Sequence, residues 1–104
     1  MIELNSKQRK ILEKAAQPLS PAVLIGGAGL TDEQVAQINS MLKIHELIKV
    51  KFNEYKEEKR ELSLSISEKT DSTLVRIIGN VAVFYKPAEK PADRKFQKSL
   101  EKVL

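Results

Sequence analysis

With 104 residues, 41% hydrophobic and 31% charged, the chain has the make-up of one globular domain of modest core size. It has no cysteine and a single histidine, His45, which excludes disulfides, thiolate metal sites and a multi-histidine metal site within one chain; no apolar run approaches the roughly 18 residues that span a bilayer, and the opening MIELNSKQRK has no apolar signal core, so a cytoplasmic protein is expected. The net charge is +4 but uneven: residues 53–72 hold six acidic and four basic side chains, leaving +6 on the rest, a balance suited to a polyanion partner.

The stretch NSKQRKILEKAAQ predicts a first helix, with Asn5 or Ser6 as N-cap and Pro18 as its stop. Pro21 leads into AVLIG, a short apolar run that predicts a buried strand. Thr31, followed three positions later by Gln34, matches a capping box and opens a second helix, with Asp32 and Glu33 suited to the positive end of its dipole. In ELIKVKF, Ile48, Val50 and Phe52 alternate with Leu47, Lys49 and Lys51, which predicts a strand with one lysine-bearing face.

Residues 54–72 fit two patterns. Leu62, Leu64 and Ile66 alternate with serines as in a strand, whereas Tyr55, Leu62, Ile66 and Thr70 form a helical stripe; the Glu/Lys-rich opening favours helix. STLVRII and VAVFYK predict two more strands, joined by a two-residue loop at Gly79-Asn80. After Pro87 and Pro91, the spacing of Phe96, Leu100 and Leu104 predicts a terminal amphipathic helix. The order α-β-α-β-α-β-β implies a two-layer α/β sandwich with a four-stranded mixed sheet.

Three of the four glycines, Gly26, Gly27 and Gly29, lie between the first strand and the second helix. A helix N-terminus offers unpaired N–H groups, and glycines let a phosphate approach the backbone. No Lys-Ser or Lys-Thr follows at P-loop spacing, and Asp32 stands where a dinucleotide fingerprint needs glycine. What remains is G-x-x-G, a pattern that also serves as a plain turn.

The ordered set Pro18-Leu19 with Pro21, VLIGGAGLT, HELIKVKF at 45–52 and IIGNVAVFYKP at 77–87 resembles the YhbY-like family, a stand-alone CRM (chloroplast RNA splicing and ribosome maturation) domain. The resemblance covers roughly residues 4–87. It implies a fold similar to the C-terminal domain of bacterial translation initiation factor three, binding to RNA, and association with ribosomal RNA and precursors of the large ribosomal subunit, with no cofactor. It divides the chain into a CRM domain at 1–87 and a basic tail at 88–104. It also places the family's RNA-contacting loop on Gly26, Gly27, Ala28 and Gly29. The family often has a polar or basic residue inside that loop; Gly27 and Ala28 leave any contact here to backbone N–H groups.

The candidate RNA-binding side chains are Lys7, Arg9 and Lys10 on the first helix, Lys49 and Lys51 on one face of a strand, Arg76, and Lys86. Against each stands a plainer reading: a solvated helix face, or lysines that blunt an edge strand. Tyr85 is a candidate for stacking on a base, against core packing. His45 is expected to cap helix carbonyls and Glu46 to pair with a lysine. No nucleophile–base set is visible, so no catalysis is expected.

Three function classes follow. One is an RNA-binding accessory factor of ribosome assembly, expected as a monomer. The second is a protein-interaction module docking through the C-terminal helix. The third is an enzyme using the glycine loop to hold a small phosphorylated substrate.

Overall fold

The computed structural model describes residues 2–103. Helix α1 (Ser6–Ala16) opens on Asn5, and both halves of a capping box form: the Asn5 side chain accepts from the Gln8 N–H, and the Gln8 side chain accepts from the Asn5 N–H. Strand β1 (Val23–Ile25) is short and is followed by the glycine loop and α2 (Asp32–His45). Strand β2 (Leu47–Phe52) follows directly. The ambiguous segment is a helix, α3 (Lys59–Thr70); Ser63, Ile66, Ser67 and Thr70 form its buried face. Ile66 and the partly buried Leu62 are its apolar contacts with the core, and Leu64 is exposed.

Strands β3 (Thr73–Ile78) and β4 (Val81–Tyr85) form a hairpin. Its loop is Gly79-Asn80, with Gly79 at φ +59, the left-handed value that primed hairpin turns demand at the first central position. The sheet order is β1-β2-β4-β3, with β1 parallel to β2 and the other pairs antiparallel. This is the expected α/β fold with a four-stranded mixed sheet, but helices lie on both faces of the sheet, so the layers number three where two were expected.

Alternation along the strands sorts their side chains between two faces. Val23, Ile25, Ile48, Val50, Phe52, Ala82 and Phe84 meet Ile38 and Leu42 of α2 and Ile66 of α3. On the other face Leu47, Val75, Val83 and Tyr85 meet Leu12 and Ala16 of α1. A 3-10 turn, η1 (Pro91–Asp93), and a short helix, α4 (Gln97–Glu101), add to that second cluster through Leu100 and Phe96. The apolar stripe proposed for docking on a partner is therefore spent within the chain at Phe96 and Leu100; Leu104 lies outside the described residues.

The tail is fastened by polar groups as well. Glu46, at φ 62 and 2% exposed, ends α2. Its carboxylate accepts from the Ala88 N–H at 2.8 Å and the Lys95 N–H at 2.7 Å. The expected lysine pair is thus replaced by two backbone donors, which satisfy a buried carboxylate at fixed positions. Gln8 donates to the Leu100 carbonyl and Asn5 to that of Val103.

Tyr85 is buried, edge-on to Phe96 at 6.0 Å between ring centroids. That position corrects the stacking candidate: the ring has no face open to a base. Burial first, then the charge of Glu46, pushes its phenol up to about 12, with Arg94 opposing.

Candidate nucleic-acid interface

One end of the sheet gathers the C-termini of β1, β2 and β3 and the start of β4. The glycine loop sits there. The Gly29 N–H donates to the Gly26 carbonyl at 2.9 Å, closing a four-residue turn. Neither Gly27 nor Ala28 has a positive φ, as in a type I turn, whereas Gly29 stands at φ +73 and is buried. Glycine is needed at 29 for that backbone angle; the Tyr55 ring lies 3.4 Å from where a Cβ would stand, an ordinary van der Waals contact. At Gly26 and Gly27 an added Cβ would meet nothing within 4 Å.

Gly27 and Ala28 are exposed, so the tip of the bend faces solvent. Among the described residues none accepts a hydrogen bond from either N–H. Just beyond, Thr31 caps α2 by accepting from the Gln34 N–H at 3.2 Å. The reciprocal half of the expected capping box is missing, because the Gln34 side chain donates instead to the Leu24 carbonyl at 2.9 Å. Gln34 ties the helix to the strand across the glycines, fixing the loop at both ends.

The basic candidates divide into two groups. Four have a task inside the fold. Arg9 donates to the Leu74 and Val75 carbonyls at 2.8 and 2.7 Å. A bulge at Val75, where the register shifts between Leu74 and Arg76, explains why both oxygens are open to a side chain. Lys49 donates to the carbonyls of Gln17 and Leu19, both at 3.0 Å, closing the chain after α1. Lys86 donates to the Thr70 carbonyl at the end of α3. Arg76 lies 2.9 Å from the Glu13 carboxylate.

Lys7, Lys10 and Lys51 are exposed and make no ion pair or hydrogen bond among the described residues. Lys7 and Lys10 share one stripe of α1 with Lys14, at i, i+3 and i+7. Lys10 and Lys14 line a groove of ≈ 440 Å³ with Glu13, Gln17 and Arg76. Lys14 was absent from the sequence candidates although its spacing from Lys10 was legible.

Register connects this groove to the loop. Lys49, Val83 and Arg76 form one transverse row on the face covered by α1. The next row towards the loop on that face is Leu24, Lys51, Val81 and Ile78, and α1 leaves it open: Leu24 is 52% and Ile78 47% exposed. Leu24 precedes Gly26 by two residues. Lys51 therefore stands one row from Arg76 of the groove and beside Leu24, which leads into the loop. On the loop's other flank Gly27 lines a groove of ≈ 570 Å³ with Asn53, Glu54, Tyr55, Lys56, Glu57 and Glu58, where three carboxylates face one lysine.

His45 is exposed in the last turn of α2, and no hydrogen bond ties its ring to the helix carbonyls expected as its partners; the α2 terminus is closed instead by the Glu46 N–H, 2.8 Å from the Leu42 carbonyl. Among the described residues no three metal-ligating side chains come together, and no helix is long and apolar enough to cross a membrane.

A family model described as the CRS1 / YhbY (CRM) domain matches residues 4–86. A Haemophilus influenzae protein named "RNA-binding protein" is 38% identical over 91 residues, covering 86% of this chain and 92% of its own. A Bacillus subtilis protein named "Probable RNA-binding protein YqeI" is 33% identical over 88 residues, covering 84% and 92%. Among solved structures, the solution structure of a Staphylococcus aureus protein matches with a TM-score of 0.74 at 33% identity, covering 89% of this chain and 98% of its own.

Proposed function

The chain belongs to the CRS1 / YhbY (CRM) domain family, and from that premise we propose that it binds RNA, without catalysis and without a cofactor, as an accessory factor in assembly of the large ribosomal subunit. The RNA backbone is gripped at Gly26, Gly27, Ala28 and Gly29, where the N–H groups of Gly27 and Ala28 meet a phosphate. Lys51, Arg76, Lys10 and Lys14 extend the footprint along the face of α1, and Lys7 lies at its far end. The names of the relatives support RNA as the partner; ribosomal precursors as the specific RNA rest on the family resemblance. In this reading the protein acts as a monomer in the cytoplasm, and residues 1–87 form the RNA-binding unit.

The observation that carries the proposal is the exposed loop tip, with two N–H groups lacking acceptors, opening onto a surface of free lysines. Phosphate contacts of this type position a protein without reading sequence. The test is capture of partners from cell lysate with and without ribonuclease. Ribosomal RNA is expected in the untreated sample, with co-purifying ribosomal proteins lost on digestion. Partners that persist through digestion, with no RNA recovered, would contradict the proposal.

A further inference from the structure

Tyr55 is the side chain that braces the glycine loop from below. It lies between β2 and α3 at φ +55, a left-handed value that aromatic residues rarely adopt. The backbone on either side holds it there: Asn53 and Glu54 donate to the Ile25 carbonyl, and Glu58 donates to that of Tyr55. The ring packs against Gly29, and the hydroxyl donates to the Gly27 carbonyl at 3.0 Å.

That last bond sets the orientation of a peptide. In a planar trans peptide the C=O of one residue and the N–H of the next point in opposite directions. With the Gly27 carbonyl turned onto Tyr55, the Ala28 N–H is aimed away from it, into solvent. The flipped peptide would present the carbonyl oxygen, which repels phosphate. Flipping also requires a positive φ at residue 28, which alanine resists and glycine does not.

We propose that Tyr55 is a positioning residue for RNA: its hydroxyl holds the Gly27–Ala28 peptide so that the Ala28 N–H faces an incoming phosphate, with the Cβ of Ala28 as a second restraint on the same flip. The proposal rests on the reading of the loop as a phosphate seat. Tyr55 touches the loop and not the RNA, so its removal changes the geometry of binding but no charge.

The test measures binding of a fluorescein-labelled fragment of large-subunit ribosomal RNA by anisotropy, beside thermal unfolding. Tyr55→Phe keeps the ring against Gly29 and is expected to lower affinity about five-fold, the value of one ordinary hydrogen bond. The salt dependence of binding should not change, because no cation is lost. The loss from Tyr55→Phe should grow in an Ala28→Gly background, where the second restraint is gone; a purely structural role for the ring would not produce that coupling. Wild-type affinity in Tyr55→Phe overturns the proposal, and so does wild-type affinity in Tyr55→Phe combined with loss in Tyr55→Leu, which would mean that the ring stacks on a base. Gly27→Asp separates the two levels: if it weakens binding while Tyr55→Phe does not, positioning fails and the loop reading stands; if it leaves binding intact, both fail.

Discussion

The Arg76 guanidinium and the Glu13 carboxylate meet at 2.9 Å in the groove between α1 and β3, with Arg76 about half exposed. Glu13 stands among Lys10, Lys14 and Arg76 as the acidic member of a basic surface. An exposed pair of this kind adds little to stability. Glu13→Gln should therefore raise RNA affinity two- to three-fold at low salt, by about half a kcal/mol, with a steeper salt dependence as Arg76 becomes free to meet a phosphate. Anisotropy titrations over a salt series check this; unchanged affinity would place the RNA elsewhere.

Lys49 and Lys51 share a face of β2 yet should respond differently to removal. Lys51→Ala is expected to weaken RNA binding by about three-fold and to flatten the salt slope by roughly one phosphate contact, with no change in melting temperature. Lys49→Ala leaves the Gln17 and Leu19 carbonyls without their donor, so its first effect should be on stability, about 1 kcal/mol. Paired melting and binding curves separate the two.

Glu46 fastens the C-terminal segment through the Ala88 and Lys95 N–H groups. Glu46→Gln keeps the volume and one acceptor oxygen but brings two N–H donors into a site built for acceptors. Destabilisation of about 2 kcal/mol is expected, with faster hydrogen exchange at the Ala88 and Lys95 amides than in the β2–β4 ladder. Uniform exchange rates across both regions would show that the tail and the domain open together.

The Tyr85 phenol, held up to about 12 by burial and by Glu46, ties stability to alkaline pH. Its folded value lies above the unfolded value of about 10, so the contribution is fully present below pH 10 and is lost as pH rises from 10 to 12. The chain has two tyrosines. In Tyr55→Phe the remaining phenol should ionise near 12 by ultraviolet titration, and Tyr85→Phe should reduce the fall in stability between pH 10 and 12.

The fold was legible because its signals are local. Strand alternation in ELIKVKF, the Gly79-Asn80 turn and the Asn5 cap each follow from residue type and spacing. Helix α3 was harder, since an inner face built from Ser63, Ser67 and Thr70 leaves a weak apolar period. The loop's place at the end of β1 was also legible. The uses of its surroundings were not. Arg9, Lys49 and Lys86 serve carbonyls far away in sequence, and a cation's partner over such a span has no local signal. Tyr55 was read as part of a helical stripe because nothing in the sequence marks a tyrosine at positive φ. Glu46 likewise was expected to pair with a lysine, and only the fold brings two backbone donors from the tail to it.

Binding of the labelled ribosomal RNA fragment to Gly27→Asp, beside its melting temperature, tests the phosphate seat most directly. An added Cβ at Gly27 meets nothing within 4 Å and its φ suits any residue, so the variant should melt with the wild type. A carboxylate placed at the loop tip should repel phosphate and weaken binding by about ten-fold or more, on the order of 1.4 kcal/mol. A variant that melts with the wild type and binds the RNA equally well would contradict the account.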